Sequence, residues 1–447
     1  MKIKALSRSA STYAPVGTNA TPAPRNLNPE LHPFEKAREY TRAVNATKME
    51  RMFAKPFIAQ LGNGHIDGVY TFAKDPRSLS RVASGSGDGE IKLWDLATHK
   101  EEMTVKAHDG IVKGLCFTSL NHDRRLLSCA SDKVIKMWDP SVNLNDQTPV
   151  ATWFGSSAFH SITQHANTHT FATGSSALEV WDWERTKPIT NLTFSTNSSE
   201  TITSTRFNYS ETSVLLSAGT DRTLILYDLR TNSPLTKLVT TMRSNQVCWN
   251  PQEPFNFAAA NEDHNTYLFD MRKLSRALNV YKDHVAAVMD VDFSPTGEEI
   301  VTGSYDRTVR IFRAREGHSR DIYHTSRMQR VFSVAYTTDS RYVLSGSDDG
   351  NVRLWRARAS ERSDIKSAKE REKLEYDEKL KERYAHMPEV RRIARHRHIP
   401  KVVKKAGEIK REEEAAEKRR EENRRRHEKK LDRRRPGREK MIVGRET

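Results

Sequence analysis

Three groups of residues combine a histidine, a hydroxyl side chain and an aspartate at similar spacing. They are His65-Ser84-Asp88, His108-Ser128-Asp132 and His284-Thr302-Asp306. These residue types could form a hydrolase triad, in which histidine activates the hydroxyl as a nucleophile. A triad needs its serine on a sharply turned, exposed segment beside an oxyanion hole, whereas these hydroxyls lie in strand-like runs and recur along the chain. We therefore interpret the groups as structural and expect no enzymatic activity.

Other candidates for chemistry are weaker. The glycine-rich run 85–89 resembles a phosphate-binding loop, but no helix or Lys-Ser/Thr pair follows it, so it indicates a turn. The three cysteines, Cys116, Cys129 and Cys248, contain no CxxC pair, which argues against a disulfide framework and a zinc site. No run approaches the roughly 20 apolar residues of a membrane-spanning helix. We expect no metal, cofactor, membrane or small-molecule substrate.

An aromatic residue that ends a short apolar run recurs seven times at intervals of 42 to 46 residues. The seven are Trp94, Trp138, Trp181, Tyr227, Phe269, Phe312 and Trp355. An aspartate precedes the aromatic residue by six positions in every repeat except the third, which has Ser175. Short runs of alternating apolar and polar residues predict four strands per repeat, with the aspartate in a tight turn.

These units, including IKLWD and IKMWD, resemble the WD repeats of β-propellers over about residues 60–357. The resemblance implies an all-β, seven-bladed propeller, in which His, Ser/Thr, Asp and Trp form a buried tetrad inside a blade. The first two groups above complete such tetrads with Trp94 and Trp138. In the third group Phe312 replaces tryptophan and lacks the indole donor.

The seventh repeat leaves no room for a fourth strand before the chain becomes highly charged, and an open sheet edge is unfavourable. We predict that the apolar run at about residues 56–62 closes the ring by supplying this strand. The predicted organisation is an N-terminal basic extension with a short helix (1–55), a propeller (56–357) and a charged helical tail (358–447).

The net charge of +16 is unevenly distributed. Residues 57–356 contain 32 Lys and Arg against 34 Asp and Glu, whereas residues 357–447 contain 32 against 20. Residues 1–30 are rich in Ser, Thr, Ala, Pro and Asn and are expected to stay extended until bound. A helix predicted after Pro33, with Phe34, Ala37, Tyr40 and Val44 on one stripe, fits either the propeller surface or a partner.

The C-terminal tail contains a basic cluster without compensating acids. Its members are Arg391, Arg392, Arg395, Arg397, Lys401, Lys404 and Lys405. Such a cluster favours binding to nucleic-acid phosphates, and its lack of aromatic residues favours structured RNA over stacked single strands. Residues 408–435 alternate acidic and basic runs, which predicts a long solvent-exposed helix.

The segments on either side of the repeats indicate which family of WD-repeat proteins the chain resembles. The segments HPFEKAREYTRAVNATKMERMFAKPF (32–57) and MPEVRRIARHRHIPKVVKKA (387–406) are similar to the suppressor-of-fibrillarin family of nucleolar WD-repeat proteins. Members belong to the small-subunit processome and act with the fibrillarin-containing small nucleolar RNP in pre-rRNA processing. The resemblance implies a nucleolar scaffold for ribosome biogenesis, with pre-rRNA, the small nucleolar RNP and processome proteins as partners.

A second hypothesis is a substrate receptor of a cullin-based ubiquitin ligase. Such receptors carry a Trp-Asp-x-Arg box, and two strings here are similar, with Tyr or Phe in place of Trp. Their characteristic residues are Asp228, Arg230, Asp270 and Arg272. Animal relatives of the family are linked to such ligases. A third hypothesis is a chromatin reader that uses the central mouth of the propeller, although no aromatic cage is identifiable from the sequence.

Overall fold

The computed structural model describes residues 28–118, 124–140, 148–192, 201–361, 366–427 and 436–446. The chain divides into two compact units. The propeller unit comprises residues 57–357 and 399–447, and the helical unit comprises residues 1–56 and 358–398. The predicted organisation, with one extension and one tail, differs from this division because the first part of the tail folds with the N-terminal extension. An extended state is predicted for residues 1–30. Residues 1–27 lie outside the described part of the chain.

The propeller unit contains seven antiparallel sheets, or blades, as the repeats predict. Blades 1 and 2 consist of β2 (Val69–Lys74), β3 (Arg81–Ser86), β4 (Glu90–Asp95), β5 (Lys100–Lys106), β6 (Val112–Phe117), β7 (Leu126–Ala130), β8 (Val134–Trp138) and β9 (Ala151–Phe154). Blades 3 and 4 consist of β10 (Ser161–Gln164), β11 (Thr170–Gly174), β12 (Leu178–Asp182), β13 (Thr190–Leu192), β14 (Ile202–Phe207), β15 (Val214–Gly219), β16 (Thr223–Asp228) and β17 (Ser233–Thr240).

The remaining blades follow the same order. Blade 5 and blade 6 consist of β18 (Ser244–Trp249), β19 (Asn256–Asn261), β20 (Thr266–Asp270), β21 (Asn279–Tyr281), β22 (Val288–Phe293), β23 (Glu299–Ser304), β24 (Val309–Arg313) and β25 (Ser319–Tyr323). Blade 7 contains β26 (Val331–Tyr336), β27 (Tyr342–Ser347) and β28 (Val352–Arg356). The first strand of each blade contacts the first strand of the next, and β2 contacts β26, which closes the ring and confirms the seven-bladed fold.

The core lies between neighbouring blades. Because a central strand is covered on both faces, β7 (Leu126–Ala130) is buried at every residue. The aromatic residues at the ends of the third strands fill these layers: Trp94, Trp181 and Trp355 are at most 1 % exposed. Burial of such large side chains stabilises each interface by about 2–3 kcal/mol per residue.

Strand β1 (Phe57–Gln60) comes from the segment expected to close the ring. It pairs antiparallel with β28 of blade 7, with Phe57 opposite Trp355. The two rings also meet edge to face, with 5.5 Å between their centres. The next residue, Leu61, is fully buried and its amide donates to the carbonyl of Val352 over 2.9 Å. The N-terminal chain therefore completes the last blade.

A fifth strand extends blade 4. Strand β29 (Ile442–Glu446) pairs antiparallel with β17, and Met441, just before it, is 2 % exposed in the core shared by blades 4 and 5. The charged helical tail predicted for residues 358–447 thus includes a short strand in its last residues. The open amides and carbonyls of the edge strand β17 supply the partners that stabilise five residues with no strong pattern of their own.

The helical unit contains α1 (Glu35–Met52), α2 (Ala368–Arg383) and α3 (Pro388–Arg395). Its core is formed by Ala43 and Val44 of α1, Leu380 of α2 and Val390 of α3. The predicted stripe of α1 is displaced, since Phe34 is 70 % exposed. The buried face of α1 packs against α2 and α3, an arrangement that periodicity within a single helix does not predict.

The long helix of the tail, α4 (Lys401–His427), belongs to the propeller unit. The helix predicted from the alternating charges therefore begins earlier than residue 408, and residues 428–435 lie outside the described part of the chain.

Candidate nucleic-acid and partner interfaces

Blade 2 forms a complete hydrogen-bonded tetrad. His108 lies 2.8 Å from Asp132 through Nδ1 and 2.8 Å from the Ser128 hydroxyl through Nε2. The indole of Trp138 donates to the same hydroxyl over 2.9 Å. Burial lowers the pKa of His108, against the opposing effect of Asp132. The serine thus serves as a junction between two strands, and the histidine links them to a turn.

Blade 6 contains the same arrangement without the tryptophan. His284 lies 2.8 Å from Asp306 and 2.7 Å from the Thr302 hydroxyl. Burial opposes ionisation of Asp306, but His284, Arg310 and hydrogen bonds from Thr308 outweigh this effect, so the pKa of Asp306 lies well below its usual value. His284 and Thr302 are at most 1 % exposed, so this hydrogen-bonded group lies inside the blade.

In blade 1 the tetrad is open on one side. His65 Nε2 lies 2.6 Å from the Ser84 hydroxyl, and Trp94 donates to that hydroxyl over 2.7 Å. In the part of the chain that the structure describes, His65 Nδ1 and Asp88 Oδ2 are buried without a hydrogen-bond partner. Together with Glu90 they offer ligand atoms within 4.8 Å of one another. Burial and then the charge of Lys92 lower the pKa of His65 to about 4, which keeps the imidazole neutral, but the Lys92 ammonium would repel a cation.

In blades without a histidine, other side chains donate hydrogen bonds to the aspartate of the turn. In blade 7, Arg353 is 4 % exposed and donates to Asp349 and, over 2.8 Å, to the Ser347 hydroxyl. In blade 5, the Tyr267 hydroxyl donates to Asp263. The repeated aspartate is therefore a structural acceptor, whichever side chain donates to it.

The basic cluster is divided between the two units. In the helical unit, Val390 packs into the core while Arg391, Arg392 and Arg395 are exposed on the opposite side of α3. None of these three arginines pairs with a carboxylate in the described ranges. Arg397 differs, because its guanidinium donates to the carbonyl of Ala394 and, over 3.1 Å, to that of His396. Arg397 therefore caps the C-terminal end of α3.

The lysines of the cluster lie in the first turns of α4, in the propeller unit. Lys401, Lys404 and Lys405 are exposed on one face, at the i, i+3, i+4 spacing, while Val403 is 8 % exposed on another face. Within the described part of the chain, these three lysines have no carboxylate partner either. Further along the same helix, Arg426 pairs with Glu422, so the charge there is partly neutralised.

Helix α4 is attached to the propeller by a half-buried lysine. Lys410 Nζ donates to the carbonyl of His284 over 2.9 Å, and burial lowers the pKa of this lysine. Gly407 lies beside Val285, where a Cβ atom would come within 3.8 Å of its side chain. The contact holds α4 with its lysine face directed away from blade 6.

The two Asp-x-Arg boxes follow the third strands of blades 4 and 5. Arg272 donates to both carboxylate oxygens of Asp270 at 3.1 and 3.0 Å, and its guanidinium lies 4.3 Å from the centre of the Phe255 ring. The Arg272 side chain is 62 % exposed. Arg230 is 83 % exposed and lies 3.5 Å from Asp228. Arg272 therefore presents an oriented guanidinium at the surface, whereas Arg230 has one looser contact.

Comparison with known proteins identifies the relatives of this architecture. The chain is 55 % identical to Protein SOF1 of Saccharomyces cerevisiae, covering 92 % of this chain and 88 % of the relative. It is also 55 % identical to Protein sof1 of Schizosaccharomyces pombe, covering 92 % of both chains. The description "Sof1-like domain" matches residues 357–442.

The chain belongs to the Sof1 family.

The Sof1-like domain includes all seven residues of the basic cluster and ends at the first residue of β29. The description "WD domain, G-beta repeat" matches residues 57–95, 99–139, 275–313 and 317–356, which correspond to blades 1, 2, 6 and 7. A relative from Xenopus laevis, 45 % identical over 90 % of both chains, is named DDB1- and CUL4-associated factor 13. Among the described residues of this Sof1-family chain, no helix is long and apolar enough to cross a membrane.

Proposed function

We propose that this chain is a non-enzymatic nucleolar scaffold of the small-subunit processome, which binds pre-rRNA through its basic cluster and assembly factors through its propeller. The observation that carries the proposal is the set of exposed cations on α3 and at the start of α4 that have no carboxylate partner among the described residues. Membership of the Sof1 family supports the assignment to ribosome biogenesis and the nucleolus.

The electrostatics favour a phosphate ligand. Six side chains are exposed and lack a carboxylate partner in the described residues: Arg391, Arg392, Arg395, Lys401, Lys404 and Lys405. Contacts of such cations with phosphates release condensed counterions, and arginine also matches phosphate with paired hydrogen bonds. A charge run whose only role is solubility would instead alternate with acids, as residues 422 and 426 do.

The type of nucleic acid follows from what surrounds the cations. The large hydrophobic side chains exposed near these lysines on α4, Val402 and Ile409, are aliphatic rather than aromatic rings that could stack with bases. Contacts to the backbone of a structured RNA are therefore favoured over sequence reading on a single strand.

In vivo cross-linking with mutants tests the proposal. Replacing Arg391, Arg392 and Arg395 together by Ala should abolish cross-links of α3 to pre-rRNA while the melting temperature is unchanged. The matched control is Arg397→Ala, which removes a helix cap and should weaken α3 with much less effect on the cross-links. Persistence of the cross-links in the triple mutant would contradict the proposal and assign α3 to a protein partner.

A second function, substrate receptor of a cullin-based ubiquitin ligase, is favoured by the geometry of the box in blade 5. Arg272 is held by both oxygens of Asp270 and by the Phe255 ring, yet most of its side chain is exposed. This arrangement orients a cation for a partner, and the name of the Xenopus relative refers to DDB1 and CUL4.

Pull-down with DDB1 separates the two functions. Replacing Arg230 and Arg272 together by Ala should abolish capture of the adaptor if the receptor function exists, without effect on pre-rRNA cross-links. Equal capture by the wild type and the double mutant would exclude the boxes as the adaptor-binding site.

A further inference from the structure

Lys113 is a cation at the inner ring of the propeller with no anionic partner among the described residues. It is the second residue of β6, and its ammonium lies 4.2 Å from the centre of the Tyr70 ring on β2. The side chain is half-buried, and burial alone lowers its pKa. No carboxylate in the described ranges pairs with it. A partly desolvated cation without a counter-charge is unfavourable, so the site is incomplete as it stands.

The neighbours of Lys113 form a compact aromatic group. Tyr70 stacks on Phe332 of β26 with 4.7 Å between ring centres and 9° between planes, and Tyr305 meets Phe332 edge to face at 5.8 Å. Exposed Arg330 lies 5.2 Å from the centre of the Tyr305 ring. We call Tyr70, Lys113, Tyr305, Arg330 and Phe332 the mouth cluster.

The position of this cluster makes it accessible from one end of the ring. Tyr70, Lys113 and Phe332 are each the second residue of an inner strand, so they lie side by side around the axis of the propeller. The corresponding residues of blades 4 to 6 are uncharged: Thr203, Asn245 and Met289. His160, just before the inner strand of blade 3, lies close enough to Lys113 for the lysine charge to contribute to lowering its pKa, after burial.

We propose that the mouth cluster binds an acidic side chain of an extended peptide segment from a protein partner. The carboxylate of an Asp or Glu residue pairs with Lys113, and Arg330 supplies a second cation at the rim. The aromatic group provides an apolar surface for the peptide on either side of the acidic residue.

Nucleic acid fits this cluster less well. One face of Tyr70 is covered by Phe332 and Lys113 lies over the ring, so the ring is not free to stack with a base. The cluster is also not a cage for a methylated lysine, because cations of the chain itself already lie over Tyr70 and Tyr305.

Selection from a phage-displayed library of random decapeptides on the full-length protein tests this proposal. The selected peptides should share an Asp or Glu residue, and changing it to Asn or Gln should weaken binding at least about tenfold in fluorescence anisotropy, as loss of a charge-assisted hydrogen bond predicts. Lys113→Met should cause a similar loss, whereas Lys106→Met, at an exposed lysine of blade 1, should change affinity less than twofold.

Three results would overturn the proposal: no peptide is selected, the peptides share no acidic residue, or Lys113→Met binds them as tightly as the wild type. Binding of a 20-nucleotide single-stranded RNA, measured in parallel, should be the same for Lys113→Met and the wild type. A loss there would assign the cluster to RNA instead. The peptide arm does not depend on the basic tail cluster, so its failure leaves the proposed RNA function untouched.

Discussion

Charged side chains have opposite environments in the propeller and in the basic cluster of the tail. In blade 6, both oxygens of Asp306 are occupied by His284 and Thr308, and the pair is buried. On α3, Arg391, Arg392 and Arg395 are exposed and unpaired among the described residues. Residues that look catalytic are thus used by the fold, whereas residues that look like a solvated helix remain available for a ligand.

This contrast shows that residue type is a poor guide to function without its surroundings. A buried histidine, hydroxyl and aspartate group whose hydrogen bonds are made within its blade contributes to stability. An unpaired arginine contributes little to stability and therefore needs another reason to be present.

Removal of the closing strand should have the largest effect. Without residues 56–62, β28 loses its partner and Leu61 leaves the core of blade 7, so the cooperative melting transition monitored by circular dichroism should be lost. The control is removal of residues 442–446, which leaves four strands in blade 4 and should lower the melting temperature only partly. Unchanged melting after the first deletion would show that the ring closes in another way.

The next largest effect is expected from breaking a buried tetrad. Asp306→Ala leaves His284 and the Thr308 donors unpaired in the interior and should cost about 3–5 kcal/mol in urea denaturation. Asp109→Ala, at an exposed aspartate, should cost less than about 0.5 kcal/mol. A loss below about 1 kcal/mol for Asp306→Ala would mean that the tetrad is not a structural unit.

The pH dependence of stability tests the neutral histidine of blade 1. Burial lowers the pKa of His65 from 6.5 to about 4, so the folded state binds this proton less readily than the unfolded state. Its contribution is present above pH 6.5 and is lost as the pH falls toward 4, by about 2 kcal/mol between pH 7 and pH 5.

The variant His65→Gln isolates this contribution. It should be less stable than the wild type at pH 7, and its unfolding free energy should fall less between pH 7 and pH 5. Replacement of the exposed His386 by Gln should leave the wild-type pH profile unchanged. Parallel profiles for wild type and His65→Gln would refute a neutral buried imidazole.

The fifth strand of blade 4 should depend on one apolar contact. Met441→Ala removes a side chain that is 2 % exposed and should weaken the docking of β29 by about 2 kcal/mol. Hydrogen exchange of the amides in residues 442–446 should then be about 30-fold faster. Replacing the exposed Val443 by Ala is the control, and equal exchange in both variants would contradict the packing role of Met441.

The repeat pattern made most of the propeller predictable. Seven aromatic residues at near-constant spacing identify the third strands. The apolar run before His65 identifies the closing strand, because the edge strand of the last blade needs a hydrogen-bonding partner. Strand β29 was not predictable, since Ile442–Glu446 has little strand character and is stabilised by β17, about 200 residues earlier. The division of the tail was missed because the contacts between α1, α2 and α3 are tertiary.

The candidate sites were predictable to a smaller extent. The absence of acids around residues 391–398 pointed to the basic cluster, but only the structure separates Arg397, which caps α3, from its exposed neighbours. The mouth cluster left no sequence signal because Tyr70, Lys113 and Phe332 are brought together by closure of the ring. Because these residues are far apart along the chain, no periodicity in the sequence indicates that they are in contact.

The salt dependence of RNA binding is the most direct test of the central claim. The six residues Arg391, Arg392, Arg395, Lys401, Lys404 and Lys405 are changed together to Ala in the full-length protein, and affinity for a 30-nucleotide hairpin RNA is measured from 50 to 300 mM KCl. Stability should change by less than about 0.5 kcal/mol, while the slope of log K against log salt should decrease by about 0.7–0.9 for each phosphate that the variant no longer neutralises. An unchanged affinity and slope would show that the exposed cations do not bind RNA.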